Sequence, residues 1–496
     1  MVEDASPGKK TFRFRLSLIR SAASAAGISL LLLSGIVGLR FTGSRLSGSA
    51  DSSVASLAQM TGALTLVQSF RGDPYRTVPA LWTERLGVKP ATDLWQRYGR
   101  SIWWQAWSQD GDAYLILPHS DLPADIKGLQ RKRVGSLEVL ASDPLHRRQL
   151  TQRLQDSHSS RIDVHPASLF ASCLQTLVEA PGVLWNADAL ATISGTLAPL
   201  LQQGREGCVR LQLESDRLLW EGVIGYRPLS SALQRTTTVS SGSIDSGSEQ
   251  RFSDQRPSNL TLLQIDGRRL NLILGTLLSR QIIQVPLEEH YGIDGSMRSR
   301  IAGLPFSLRL QSRASGAYKA GLQIQLPLSG QRQQWLSILE AVSDRLQARG
   351  FQQLQAETTK AQSKSSLSTL WRRRDGDDIT TVGGWQVIND VRINGQKTAV
   401  LSIGFGIEPD PQSFYDVNAN QTSSMLRISA DPKQLTQLEL LGGLWPKPVQ
   451  QAIALTMSVN RLDGSGAMDS WWRISGGLTL KPCLLYTSPS PRDRSI

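Results

Sequence analysis

Arg161-Ile162-Asp163-Val164-His165-Pro166 opens a stretch, Arg161–Pro228, that the chain uses more than once. Near the C-terminus, Arg427-Ile428-Ser429-Ala430-Asp431-Pro432 restates it. Arg161, Ile162, Pro166 and Leu169 recur there at the same spacing, and Leu444-Trp445 echoes Leu184-Trp185. A weaker third copy begins at Leu263-Gln264-Ile265-Asp266-Gly267. Each copy reads as a strand, two helical patterns and a hairpin.

The periodicities carry that reading. Leu169, Phe170, Cys173, Leu174, Leu177 and Val178 fall on one helical face, as do Leu190, Ile193, Leu197, Leu200 and Leu201 after Asn186 as N-cap. Val209, Leu211 and Leu213 alternate with Arg210, Gln212 and Glu214, the pattern of an antiparallel strand with one buried side. In the second copy Leu270, Ile273, Leu274, Leu277 and Leu278 are helically spaced, and Tyr318–Leu326 alternates. Asp431-Pro432 is a helix start, an acceptor before a proline at the first helical position.

Outward from the repeats, Ser101–Trp107 and Ala113–Leu117 flank Gln109-Asp110-Gly111-Asp112, a hairpin signal. Ser136–Leu140 reads as a strand, Pro144–Leu154 as a polar helix and Gln333–Ala348 as an amphipathic one. Residues 57–230 make a first α+β domain and 259–482 a second, joined by a Ser/Thr/Gly-rich linker over 231–258. The expected fold is α+β: two related domains of antiparallel sheet, helices on one face of each. Residues 483–496 follow no period and read as a non-native ending.

Before the first domain, Ser21–Leu39 is uncharged and flanked by Arg20 and Arg40. As a helix it spans about 28 Å, near the hydrocarbon thickness. Lys9, Lys10, Arg13, Arg15 and Arg20 precede it, so residues 1–20 stay cytoplasmic and the C-terminal mass lies outside. The segment reads as an uncleaved anchor in preference to a signal peptide cut near Gly48-Ser49-Ala50; residues 40–56 form a flexible stalk.

Composition narrows the classes. The chain has 496 residues, 40% of them hydrophobic and 19% charged, which suits globular domains. Much of the +12 net charge sits beside the anchor, where it orients the membrane segment. Beyond it the longest basic run is Arg372-Arg373-Arg374, so nucleic acid is not an expected partner.

No catalytic, cofactor-binding or metal residues are assigned. His119, His146, His158, His165 and His290 show no metal-ligand spacing, and His165 aligns with the capping Asp431. Glu288, Glu289, His290 and Asp294 read as an exposed polar loop. Ser402-Ile403-Gly404-Phe405-Gly406 lies in a strand pattern, unlike a nucleophile elbow. Cys173 and Cys208 are either a disulfide or two buried thiols, and their apolar flanks favour thiols. Trp103, Trp104, Trp107, Trp471 and Trp472 stand on hairpin strands. Adjacent strand residues point to opposite faces, so either a second layer covers them or they form an aromatic interaction surface.

The anchor, Tyr114-Leu115-Ile116-Leu117-Pro118 ending a hairpin, the Gly135–Ser142 strand and the Gly182-Val183-Leu184-Trp185-Asn186 turn resemble a cyanobacterial family. Its members are membrane-anchored proteins known only as a domain of unknown function. The resemblance covers the layout of residues 57–480 and departs where the family opens with a proline-rich segment. It implies a periplasmic or thylakoid-lumenal setting and brings no catalytic residues. The expected function is a membrane-tethered, non-enzymatic interaction or assembly factor without a cofactor. The alternative is a protein that binds an apolar ligand, lipid or pigment; a hydrolase is third.

Overall fold

A computed structural model describes residues 50–122, 128–157, 169–186, 189, 204–226, 261–278, 280–314, 318–328, 332–355, 368–375, 378–393, 396–410, 424–441, 447–461 and 471–480. The fold is mixed α+β, dominated by one antiparallel sheet of eighteen strands. Among the described residues no helix is long and apolar enough to cross a membrane; the expected anchor, Ser21–Leu39, lies outside them.

The first half carries helix α1 (Ala50–Met60), β1 (Leu66–Arg71), α2 (Ala80–Leu86), α3 (Val88–Tyr98), β2 (Ile102–Trp107) and β3 (Ala113–Pro118). Then come β4 (Arg131–Val134), β5 (Leu137–Leu140), α4 (Pro144–Ser157), α5 (Leu169–Glu179), β6 (Gly182–Trp185), β7 (Gly204–Glu214) and β8 (Arg217–Tyr226). The β2–β3 hairpin closes through the Asp-Gly signal, with Gly111 at φ 85° and its amide donating to Ser108. Hydrogen bonding orders these strands β4-β5-β3-β2-β1-β6-β7-β8.

The second half holds β9 (Thr261–Gly267), α6 (Asn271–Leu278), α7 (Gln281–Tyr291), α8 (Gly295–Gly303), β10 (Phe306–Ser312), β11 (Ala320–Leu328) and α9 (Arg332–Ala348). It continues with β12 (Gln352–Gln355), β13 (Ser368–Asp375), β14 (Asp378–Ile393), β15 (Gln396–Phe405), β16 (Ser424–Ala430), α10 (Pro432–Gln437), α11 (Lys447–Gln450), β17 (Ala454–Arg461) and β18 (Trp471–Thr479). Its order is β12-β13-β14-β15-β11-β10-β9-β16-β17-β18. Leaving out β12 and β13, this repeats the order of the first half. The halves meet where β8 pairs with β18, from Gly225 opposite Trp471 to Arg217 opposite Thr479.

Three expectations change. Arg161–Val164 lies outside the described residues, and the position beside β1 that β16 holds beside β9 belongs to Gly182–Trp185. That segment is a strand, not a turn: Leu184 and Trp185 pair with Val67 and Leu66 and with Cys208 and Gly207. The stalk expected over 40–56 is helical from Ala50, because Leu57 and Met60 bury one face of α1 and the Ser56 hydroxyl accepts from the Ser136 amide at 3.0 Å.

Helices also cover both faces of the first-half sheet, not one. On one side α1, α4 and α5 bring Leu57, Met60, Leu150, Leu154, Leu174 and Leu177 onto Val67, Trp104, Ile116 and Val139. On the other, α2 and α3 bring Leu81, Trp82, Leu94 and Trp95 onto Phe70, Trp103, Leu117 and Leu140. In the second half α9 lays Trp335, Ile338 and Leu339 on Leu326, Trp385 and Leu401.

Candidate functional site

Two covering layers decide the fate of the tryptophans. Trp103 is 5% exposed, stacked on Phe70 at 4.5 Å and met edge-on by Trp82 at 5.7 Å. Trp104 is 2% exposed on the opposite face, where its indole N–H donates to the Leu177 carbonyl at 3.1 Å. Neither can join an interaction surface, so that expectation is corrected for this pair. Trp107, Trp471 and Trp472 are half-buried. Trp471 packs against the cluster that holds Trp104, and Trp107 against one built on Trp185 and Leu211, so the five do not form one patch.

A depression between α2, α3 and the sheet is lined by Trp82, Leu94, Tyr98, Ile102, Trp103 and Leu117. Its empty volume, open mouth included, is about 240 Å³. The space it encloses is only about 10 Å³, room for one water and far too little for a lipid or pigment.

Cys173 of α5 and Cys208 of β7 form a disulfide across 6.0 Å between Cα atoms, with both side chains buried. The favoured reading of two separate thiols is thereby corrected. The helical face of α5 points Cys173 at the sheet, and Leu184 and Val223 flank Cys208 across the strands.

The histidines divide by location. His158 and His165 lie outside the described residues. His119 Nδ1 lies 2.9 Å from the buried Glu138 carboxylate. His290 ends α7 with its ring 3.4 Å from the Arg345 guanidinium. Glu288, expected in a loop, belongs to the same helix and faces Arg298 at 3.4 Å, while Asp294 caps α8 through the Met297 amide. Among the described residues no three His, Cys, Asp or Glu side chains are grouped to hold a metal ion. Ser402 is fully buried and its hydroxyl accepts from the Gln323 amide at 2.8 Å.

Sequence spacing missed one polar cluster, at the N-terminus of α4 and the tip of the β2–β3 hairpin. Asp143 accepts from the Leu145 and His146 amides at 2.8 and 3.0 Å, and its Oδ2 lies 2.6 Å from His146 Nδ1. The His146 backbone hydrogen bond leads the causes that hold the Asp143 carboxyl down to about 2. Ser142 Oγ approaches the same Nδ1 at 2.9 Å. The two backbone amides on the Asp143 carboxylate make this a helix cap; a nucleophile relay needs the hydroxyl and the carboxylate on different imidazole nitrogens, and here both lie at Nδ1. Asp112 lies 3.8 Å away, its carboxyl raised by burial. Burial would also raise Asp110, but the Ser108 hydroxyl and the Arg153 guanidinium outweigh it and its pKa is lowered. The Asp110-Gly111 turn and the helix from Pro144 were each visible in sequence; their meeting was not.

A second feature crosses the joint between the halves. Arg210, Glu221, Ser475, Ser458, Arg427, Asp266 and Ser307 stand directly opposite one another on successive strands, from β7 to β10. Paired residues share a face, so they form one polar row across the sheet. The Ser458 and Ser475 hydroxyls are 2.9 Å apart, and the Ser307 hydroxyl donates to Asp266 at 2.6 Å. Arg210 and Glu221 are exposed, and Ser475, Ser458, Arg427 and Asp266 half-buried.

The fold and these sites define an α+β protein built on one shared sheet, with a solvent-reaching polar face at its centre. No protein-family model, curated protein or solved structure matches the chain.

Proposed function

We propose that this chain is a membrane-tethered, non-enzymatic interaction or assembly factor, with its globular part in the periplasm or thylakoid lumen. The observation that carries the reading is the continuous sheet through β8 and β18, with a polar row running over the joint. Such a sheet offers a broad, fixed surface whose side chains are spaced by strand geometry, which suits a partner of matching extent. The recurrent strand order supports two related domains.

The setting rests on two further supports. A disulfide persists in oxidising compartments, and Cys173–Cys208 joins two core elements. Ser21–Leu39 with its preceding basic residues gives an anchor with the domains outside the cytoplasm, the arrangement of the family that the layout resembles.

Affinity purification of the anchored protein from its native membrane, with solvent extraction of the same sample, tests this. A stoichiometric protein partner that Arg427→Glu and Glu221→Arg release supports the reading. Recovery of a stoichiometric lipid or pigment without a protein partner overturns it in favour of a ligand carrier.

A further inference from the structure

Read backwards, the polar row keeps its pattern with every charge exchanged. From β7 to β9 its members are Arg210, Glu221, Ser475, Ser458, Arg427 and Asp266, in the order plus, minus, neutral, neutral, plus, minus. Reversed and laid on itself, that order sets Arg210 on Asp266, Glu221 on Arg427 and Ser475 on Ser458, each contact made twice. An interface between identical chains related by a two-fold axis requires this matching, residue i meeting j while j meets i. We propose that the row is a docking face for a second copy of this chain, with the two sheets packed face to face about an axis that runs along the strands between β18 and β17. The inference rests on the reading of the row as an interaction face.

The surroundings of the row fit the same axis. Sheets packed face to face lie about 10 Å apart with strands aligned within about 30°, so opposed rows touch. At the axis the Ser458 and Ser475 hydroxyls are 2.9 Å apart. A hydroxyl both donates and accepts, so the four from two copies satisfy one another. The neighbouring row, Gln212, Leu219, Gly477, Thr456, Ser429 and Gln264, is uncharged. Its reversal sets the Gln212 amide on the Gln264 amide. Neither row brings like charges together. Helix α5 covers Cys208 and Val223 on this face, while Arg210 and Glu221 stand two residues further along the same strands and are exposed. A partner of one sign would match two of the four charges and oppose the other two; a second copy matches all four.

Size sets the strength of the contact. The outer backbones of the six strands are about 24 Å apart, a patch at the small end of specific interfaces. The dimer is therefore a dissociable one. Its partner choice comes from the charges, and salt weakens it.

The test is sedimentation equilibrium of full-length chains in density-matched detergent. Arg427→Glu turns its contact with the copy's Glu221 repulsive at both places, and Glu221→Arg does the same from the other side. Each variant alone should dimerise more than about tenfold more weakly than wild type. Mixed one to one, they should pair with each other at close to wild-type affinity. In that mixed pair Glu221 of one chain faces Arg427 of the other, and the two substituted positions carry opposite charges. Arg210→Glu, at an exposed position, opposes Asp266 twice and should also weaken the dimer; it decides the matter if melting shows that Arg427→Glu does not fold. A wild type that stays monomeric overturns the inference, as does a mixture no tighter than its separate variants. Association that none of the substitutions changes also overturns it, because the copies then meet elsewhere. A different native partner that both variants release, alone and mixed, keeps the row as an interaction face and removes the second copy as its occupant. Substitutions that release neither a copy nor any native partner remove the row as a surface.

Discussion

Trp220 lies on Gly476 of the facing strand, across the line where the two halves of the sheet meet. The same pairing occurs twice inside the halves, Trp185 on Gly207 and Phe306 on Gly267. Aromatic cover of a cross-strand glycine shields backbone that would otherwise face water and pins register. A Cβ at Gly476 would meet both the indole and the Thr456 carbonyl at about 2.5 Å or less. Gly476→Val should therefore destabilise the protein by about 1–3 kcal/mol, the usual overpacking cost. Urea unfolding should show a lower midpoint, and Trp220→Ala in the same background should recover only part of it, because the Thr456 collision stays.

The disulfide sets a second expectation. Cys173 and Cys208 are 35 residues apart, and the loop-entropy relation gives about 3–4 kcal/mol for closing such a loop. Cys173→Ser with Cys208→Ser should lower Tm, and dithiothreitol should lower the wild-type Tm to a similar value while leaving the variant unchanged. Equal melts with and without reductant in the wild type would exclude the bond.

Adjacent tryptophans on opposite faces of β2 should behave alike. Trp103→Ala and Trp104→Ala each remove a buried indole and leave a cavity, at a cost of about 3–5 kcal/mol. Trp472→Ala, half-buried, should cost less. A pull-down in which Trp103→Ala keeps its Tm but loses partners would contradict the burial.

Acid should act through Asp143. Its folded pKa of about 2 lies below the ordinary aspartate value of 3.8, so its contribution is present above pH 3.8 and is lost as pH falls toward 2. Asp112 works the opposite way: burial raises its pKa, so its ionisation weakens the fold as pH rises. Between about pH 4 and 2, the Tm of wild type should fall more steeply than that of Asp143→Asn, which keeps a capping oxygen but no charge. Parallel curves would remove Asp143 as the cause.

Topology can be checked on sealed inside-out vesicles. If Ser21–Leu39 spans the bilayer with Lys9 to Arg20 in the cytoplasm, added protease should trim the N-terminus and spare the globular part. Digestion of residues 57–480 without detergent would reverse the assignment.

What the sequence disclosed was local. Asp431-Pro432 marked a helix start, and Asp431 indeed accepts from the Gln434 amide at 2.9 Å. Val209, Leu211 and Leu213 alternated visibly with Arg210, Gln212 and Glu214, since the first three are more buried than the second three. Gly182–Trp185 escaped because four residues show no usable period, and its partner β1 lies far upstream. The burial of Trp103 and Trp104 depended on helices from both sides arriving over one hairpin. The polar row from Arg210 to Ser307 was hidden for another reason. Each member is an ordinary polar residue of its own strand, exposed at Arg210 and buried at Ser307, and only pairings that leave chain order align them.

The strand that completes the first half's sheet is made long after the rest of that half. β8 ends at Tyr226, and β18 leaves the ribosome roughly 250 residues later, a delay of about 12–50 s at ordinary synthesis rates. Through that interval the nascent chain carries an unsatisfied row of amides and carbonyls along β8, beside a hydrophobic Trp220. Newborn chains on one polysome present that edge to each other in sequence, and a chaperone that shields it would raise the yield of folded protein. The yield of this protein should then depend on how fast its C-terminal third is translated, through codon choice, more than on the stability of the finished fold.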